Sequence, residues 1–111
     1  MSFPVYLLTM KSEMQVSRLE LGQFTNKPAW IEVSGDGSPA IVMFTTKPAI
    51  TRFCKAQDIS LQECLPIEFG AQDFADELER LSKEMSHLTI DPVTPPYKYV
   101  AIAAVLARLR S

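Results

Sequence analysis

The stretch Ser34 to Ile50, SGDGSPAIVMFTTKPAI, constrains the fold more than any other part of the chain. Gly35-Asp36-Gly37 supplies the positive-φ positions that a tight hairpin needs, and Pro39 follows as a turn residue. Ala40 to Thr45 is an apolar run that reads as a strand. Thr46 can accept a hydrogen bond from an unpaired amide at a helix start, and Pro48 falls in the first turn, where its missing N–H costs nothing. The order is therefore turn, strand, N-cap and helix. A phosphate cradle would need its amides to converge on a helix N-terminus, with a fuller glycine pattern. Here the glycines precede a strand, so Gly35-Asp36-Gly37 reads as a hairpin turn. On its other side, Ala29-Trp30-Ile31-Glu32-Val33 alternates, with Trp30 and Glu32 sharing one face.

The remaining elements follow from periodicity. Val5 to Met10 is a nearly continuous apolar run, a buried strand. Residues 12–22 read two ways. Ser12 and Gln15 resemble a capping box with Gly22 as a C-terminal cap, whereas Arg18 to Leu21 alternates as a strand does; helix is the reading taken. A helix over Lys47–Gln57 places Ile50, Phe53 and Cys54 on one face. Leu61 to Phe69 holds a strand that Pro66 restricts to an edge. Ala71 to His87 reads as a helix with Phe74, Leu78, Leu81, Met85 and Leu88 as its sustained apolar stripe and a well-charged outer face. Leu88-Thr89-Ile90 is a short strand before a proline-rich loop. The chain closes in YKYVAIAAVLARLRS, read as a helix with Tyr99, Ile102, Val105, Leu106 and Leu109 in a stripe and alanine over much of the rest. The sum is a single domain over residues 1–111, α/β or α+β: a small mixed β-sheet with about three helices packed on it in a single-layer sandwich.

Candidate chemistry is sparse. The net charge of -2 lacks the basic excess of a nucleic-acid binder, although Lys47, Arg52 and Lys55 make one helix basic on its outer side. Two cysteines and one histidine, with no CxxC pair, do not make a zinc site, and no cofactor motif is visible. The run from Tyr99 to Ala107 is half the length needed to cross a bilayer, and MSFPVYLLTM has no charged leader of a secretory signal. A reduced, cytoplasmic protein is expected, without metal, cofactor, nucleic acid or membrane. The acids Asp73, Asp76 and Glu77 complement the dipole of their helix, which accounts for them without a general acid or base role.

Two short motifs carry a family resemblance. Phe44-Thr45-Thr46 closes a strand and opens a helix, and Ile90-Asp91-Pro92 follows a hydrophobic helix. With the preceding Gly35-Asp36-Gly37 turn, this pattern resembles the N-terminal domain of the enhanced-serine-sensitivity (SseB) family, with Thr46 for the usual Ser and Asp91 for the usual Asn. The likeness spans about Trp30 to Pro92. It implies an α/β fold and a bacterial, cytoplasmic, non-enzymatic role, and it transfers no active residue.

The function expected from these features is that of a small non-enzymatic interaction or regulatory module that self-associates or meets a protein partner. Its contact residues would be Tyr99, Ile102, Ala103, Val105, Leu106 and Leu109 on the terminal helix, with Trp30 as a second candidate if its sheet face is uncovered. The alternative is an enzyme or small-ligand domain with a cleft at the sheet edge. It would use Cys64, served by His87 as base, or a carboxylate such as Glu63 or Glu68.

Overall fold

Three strands meet at a fourth. The computed structural model describes residues 2–11, 30–34 and 39–111, and among them β3 (Pro39–Phe44) pairs with three other strands. On one side it runs parallel to β5 (His87–Ile90), Ile41 opposite Leu88. On the other side its two ends have different partners. Phe44 and Met43 pair antiparallel with Tyr6 and Leu7 of β1 (Val5–Met10). Residues Ile41 to Pro39 pair antiparallel with β2 (Glu32–Ser34). The segment before β2 is wedged between β1 and β3: the Ile31 N–H donates to the Leu8 carbonyl at 2.8 Å, and the Val42 N–H donates to the Ile31 carbonyl at 3.2 Å. The hairpin partners are thus in place, whereas the turn at Gly35-Asp36-Gly37, the residue Ala29 and the ambiguous stretch 12–22 lie outside the described residues.

The sheet is completed by β4 (Cys64–Phe69), antiparallel to β1, and β6 (Tyr99–Ala101), antiparallel to β5, in the order β4-β1-β3-β5-β6. It is a six-stranded mixed sheet carrying three helices among the described residues. α1 (Lys47–Ala56) covers one face; α2 (Ala71–Leu81) and α3 (Ile102–Leu109) cover the other. Alternation assigns the side chains. Val5, Leu7, Ile41 and Met43 point to α2 and α3, while Tyr6, Leu8, Val42 and Phe44 point to α1. Both faces are dry, which is why β1 and β3 read as continuous apolar runs. Phe74 and Leu78 of α2 are fully buried, each contributing about 2–3 kcal/mol of transfer free energy. No helix among the described residues is long and apolar enough to cross a membrane.

Two helix boundaries differ from the sequence expectation, for a common reason. α2 ends at Leu81, and residues 82–84 turn, so Met85 still packs on the core although the helix has stopped. His87 consequently opens a strand and does not close a helix. Likewise Tyr99-Val100-Ala101 is strand β6 and α3 begins at Ile102, whose N–H donates to the Ser86 carbonyl at 2.9 Å. In both places a three- or four-residue apolar spacing continues through a strand because each neighbouring element buries its own side chain. Pairing between β5 and β6 supplies backbone partners that a longer helix would forgo.

The ends of α1 are specified by capping. Thr46 Oγ1 accepts from the Ala49 N–H at 3.3 Å, and Pro48 sits in the first turn. At the other end, the Ile59 N–H donates to the Cys54 carbonyl (2.8 Å) and the Asp58 N–H to that of Lys55 (3.4 Å), with Asp58 at φ 57. That is a Schellman motif with an aspartate where glycine is preferred. Beyond it, Gln57 Nε2 donates to the Val93 carbonyl at 3.0 Å and to the Tyr97 hydroxyl at 3.1 Å, tying the proline-rich connection between β5 and β6 to α1. Asp58→Gly removes a left-handed penalty and a negative charge from the carbonyl end of the helix, so it should stabilise the fold by about 0.5–1 kcal/mol in urea unfolding. A loss of stability would show that the aspartate side chain contributes more than its backbone conformation costs.

Candidate functional site

Three polar arrangements stand out against the apolar sheet. The first is a thiol pair. Cys54 lies on the buried face of α1 and Cys64 opens β4, and their Sγ atoms are 3.6 Å apart. Both are free thiols, with Cys54 at 0% and Cys64 at 4% exposure. The connection between them is held by its backbone: after the Schellman motif, the Glu63 N–H donates to the Ser60 carbonyl (3.1 Å) and the Lys11 N–H to the Glu63 carbonyl (2.9 Å), which docks the connection against the end of β1. Burial first, then the hydrogen bond and charge of Cys64, push the Cys54 thiol from its ordinary 9.0 up to about 12. It is protonated at neutral pH and a poor nucleophile.

His87 does not serve these thiols. It sits on β5, and β1 and β3 separate that strand from β4, a distance of about 14 Å across the sheet. Its Nδ1 is 2.8 Å from Ser86 Oγ, and its ring lies 5.9 Å from that of Tyr99. Of the carboxylates considered with Cys64, Glu63 is exposed in the turn. Glu68 is exposed four residues along β4, about 13 Å away, and accepts from the Tyr6 hydroxyl at 3.4 Å. The Cys–His arrangement is therefore not assembled. Among the described residues, no group of three or more His, Cys, Asp or Glu is placed to hold a metal ion.

The second arrangement joins the triplets Phe44-Thr45-Thr46 and Ile90-Asp91-Pro92. Asp91 follows β5 at φ 49 and its N–H donates to the Met43 carbonyl at 2.8 Å, which prolongs the parallel β3–β5 pair by one residue. Its carboxylate then takes both polar groups of Thr45: the N–H at 2.8 Å on Oδ1 and the hydroxyl at 2.6 Å on Oδ2. Thr45 precedes the N-cap of α1, so a single carboxylate fixes the place where β3 hands over to that helix. Sequence reasoning singled out both triplets but not their contact. The usable signal was the type of residue 91, since aspartate both tolerates a left-handed backbone and presents two acceptors.

The third is the setting of Trp30 and α3. Trp30 is 9% exposed, within the core on the α2 and α3 face, with its ring edge-on to Phe69 at 5.8 Å. Its indole Nε1 donates to Glu77 Oε2 at 2.6 Å, and Arg80 clasps the same carboxylate. That pairing raises the guanidinium pKa of Arg80 further. The structure thus places Trp30 inside the domain, together with Ile102 at 1% and Val105 at 6% exposure. Tyr99, Leu106 and Leu109 are half-buried, and Ala103 is exposed along with Ala104 and Ala107. Beside these alanines runs a groove of about 500 Å³ lined by Ile90, Val100, Ala104, Val105, Arg108 and Leu109. The basic trio Lys47, Arg52 and Lys55 is exposed on α1.

No family model matches the chain, and no curated protein is significantly similar to it.

Two outcomes are expected here. Asp91→Ala should cost about 2 kcal/mol in urea unfolding, because it leaves the Thr45 amide and hydroxyl without their acceptor. Asp91→Asn keeps one acceptor and the left-handed backbone, and should cost less than half as much. Equal losses would mean that the charge, and not the geometry, holds the junction. For Cys54, the unfolded chain loses its thiol proton near 9 while the native chain keeps it to about 12. Native protein then binds the extra proton, so the thiol contributes stability that is lost as pH rises above 9, by up to about 1.4 kcal/mol per pH unit. Unfolding free energies from pH 8 to 10.5 should fall less steeply for Cys54→Ala; identical slopes would show that this thiol ionises as freely in the native chain.

Proposed function

We propose that the chain is a small non-catalytic interaction module that pairs with a second copy of itself through the outer face of α3. One observation carries this reading: α3 is apolar on both sides. Ile102 and Val105 face the sheet while Ala103, Ala104 and Ala107 face outward beside the groove. A thin alanine ridge and an apolar groove on the same helix are self-complementary under a twofold axis, and small side chains allow close approach of two helix backbones. Charge supports the same occupant. Arg108 borders the groove without an ion pair among the described residues, and the adjacent α2 exposes Asp73 to a partner's cation. Strand addition is the weaker route to assembly. Edge strand β4 carries Pro66, which cannot donate, and exposed Glu68, while β6 is three residues long.

The chemistry points away from catalysis, since the thiols are buried against each other and His87 stands across the sheet. A bacterial, cytoplasmic setting and kinship with the SseB family belong to this proposal; they rest on the two coupled triplets and on the unbridged cysteines.

Light scattering coupled to size exclusion over a dilution series tests it. A dimer is expected, and Ala104→Glu should weaken it at least about tenfold while the circular dichroism of the dilute monomer stays unchanged, because the substituted side chain is exposed in the monomer. A monomer at all concentrations, or a dimer indifferent to Ala104→Glu, would remove α3 as the contact.

A further inference from the structure

We propose that Cys54 and Cys64 form a dithiol modification site, which hydrogen peroxide converts into an intramolecular disulfide joining the end of α1 to the start of β4. The Sγ atoms are 3.6 Å apart and need to close by about 1.5 Å to reach bonding distance. Both cysteines lie at element ends, where small shifts disturb the least packing. Cys54 is in the last turn of α1 and Cys64 is the first residue of an edge strand. The chain between them is already turned back on itself by the Schellman motif and by the Cys64 N–H to Leu61 carbonyl bond at 3.4 Å. The entropy of bringing the sulfurs together is therefore spent on folding, not on oxidation.

The order of events follows from access. Cys64, at 4% exposure against 0% for Cys54, is the sulfur that a small oxidant meets first, and burial excludes bulkier disulfides. The Cys64 thiolate attacks one peroxide oxygen, the O–O bond breaks, and hydroxide leaves to take up the proton that the thiol gave. The product is a sulfenic acid. The Cys54 sulfur then attacks the sulfenic sulfur, the S–O bond breaks, and the departing hydroxide leaves as water with the proton of Cys54. In sum two thiols and one peroxide give one disulfide and two waters, a two-electron oxidation of the pair. The high pKa of Cys54 makes this second step slow at neutral pH and faster as pH rises. Closure would fix the connection at residues 57–63, where Leu61 is 52% exposed beside a shallow depression that includes Ile59, Thr51 and Lys55.

The full chain, kept native and treated with hydrogen peroxide, supplies the test by intact mass and peptide mapping. The expected product has lost two hydrogens, remains a single chain on a non-reducing gel, and carries Cys54 and Cys64 in one cross-linked peptide. It returns to the starting mass with dithiothreitol and melts roughly 5–10 °C higher than the reduced chain. Cys64→Ala should lose no hydrogens under the same treatment. Three results would each overturn the proposal: sulfinic or sulfonic acid on either cysteine in place of the cross-link, disulfides between chains, or thiols that stay reduced in the native chain while the same chain in urea is fully oxidised.

Discussion

Strand β3 is buried on both faces and hydrogen-bonded on both edges, and the other elements take their places from it. Its partner on one edge is parallel and arrives only after α1, β4 and α2 have intervened. Its partners on the other edge are two, because the segment through Trp30 and Ile31 is inserted where β1 would otherwise continue. A strand with so many obligations cannot slip by one residue: slippage would exchange Val42 and Phe44, which pack on α1, for Ile41 and Met43, which pack on α2 and α3. The carboxylate of Asp91 then fixes the end of β3 to the end of β5 by bonding Thr45 twice. Register, helix start and crossover are set within a few residues of one another.

Much of this was legible from local chemistry. The cap at Thr46, the first-turn Pro48, the buried face of α1 and the edge position of the strand containing Pro66 each follow from a residue type acting on its neighbours. What periodicity could not decide was where a helix yields to a strand. Leu81 and Met85 are spaced for a helix and both reach the core, and Tyr99 and Ile102 are likewise spaced, yet the backbone changes state between the members of each pair. The competing influence is the β5–β6 pairing, which joins residues ten or more positions apart and leaves no mark on a helical wheel. Trp30 shows the same limit from another side. Its alternation with Ile31 was plain, but whether its face was covered depended on α2 and α3, and Glu77 gave no sign in the sequence of accepting its indole hydrogen.

The candidate sites were legible to a lesser degree, because each is a contact between distant segments. Cys54 could be placed on an apolar face from its helix alone. Cys64 could not, since the position of the strand start depends on how the connection closes against β1 through Lys11 and Glu63. The triplets Phe44-Thr45-Thr46 and Ile90-Asp91-Pro92 were visible separately as capping and turn chemistry, and only the parallel pairing of β3 with β5 brings them together. Aspartate at position 91 suits both demands of the contact, a left-handed backbone at φ 49 and two acceptors for Thr45.

The side-chain amide of Gln57 has an effect beyond its two hydrogen bonds. The connection that it holds, through Val93 and Tyr97, leads from β5 into β6 and on to α3, on the sheet face opposite α1. A helix on one face is thereby harnessed to the approach of a helix on the other, without passing through the sheet. Fluctuations that would peel β6 and α3 from the edge must also strain the end of α1, so the last fifth of the chain is coupled to the helix on the far face.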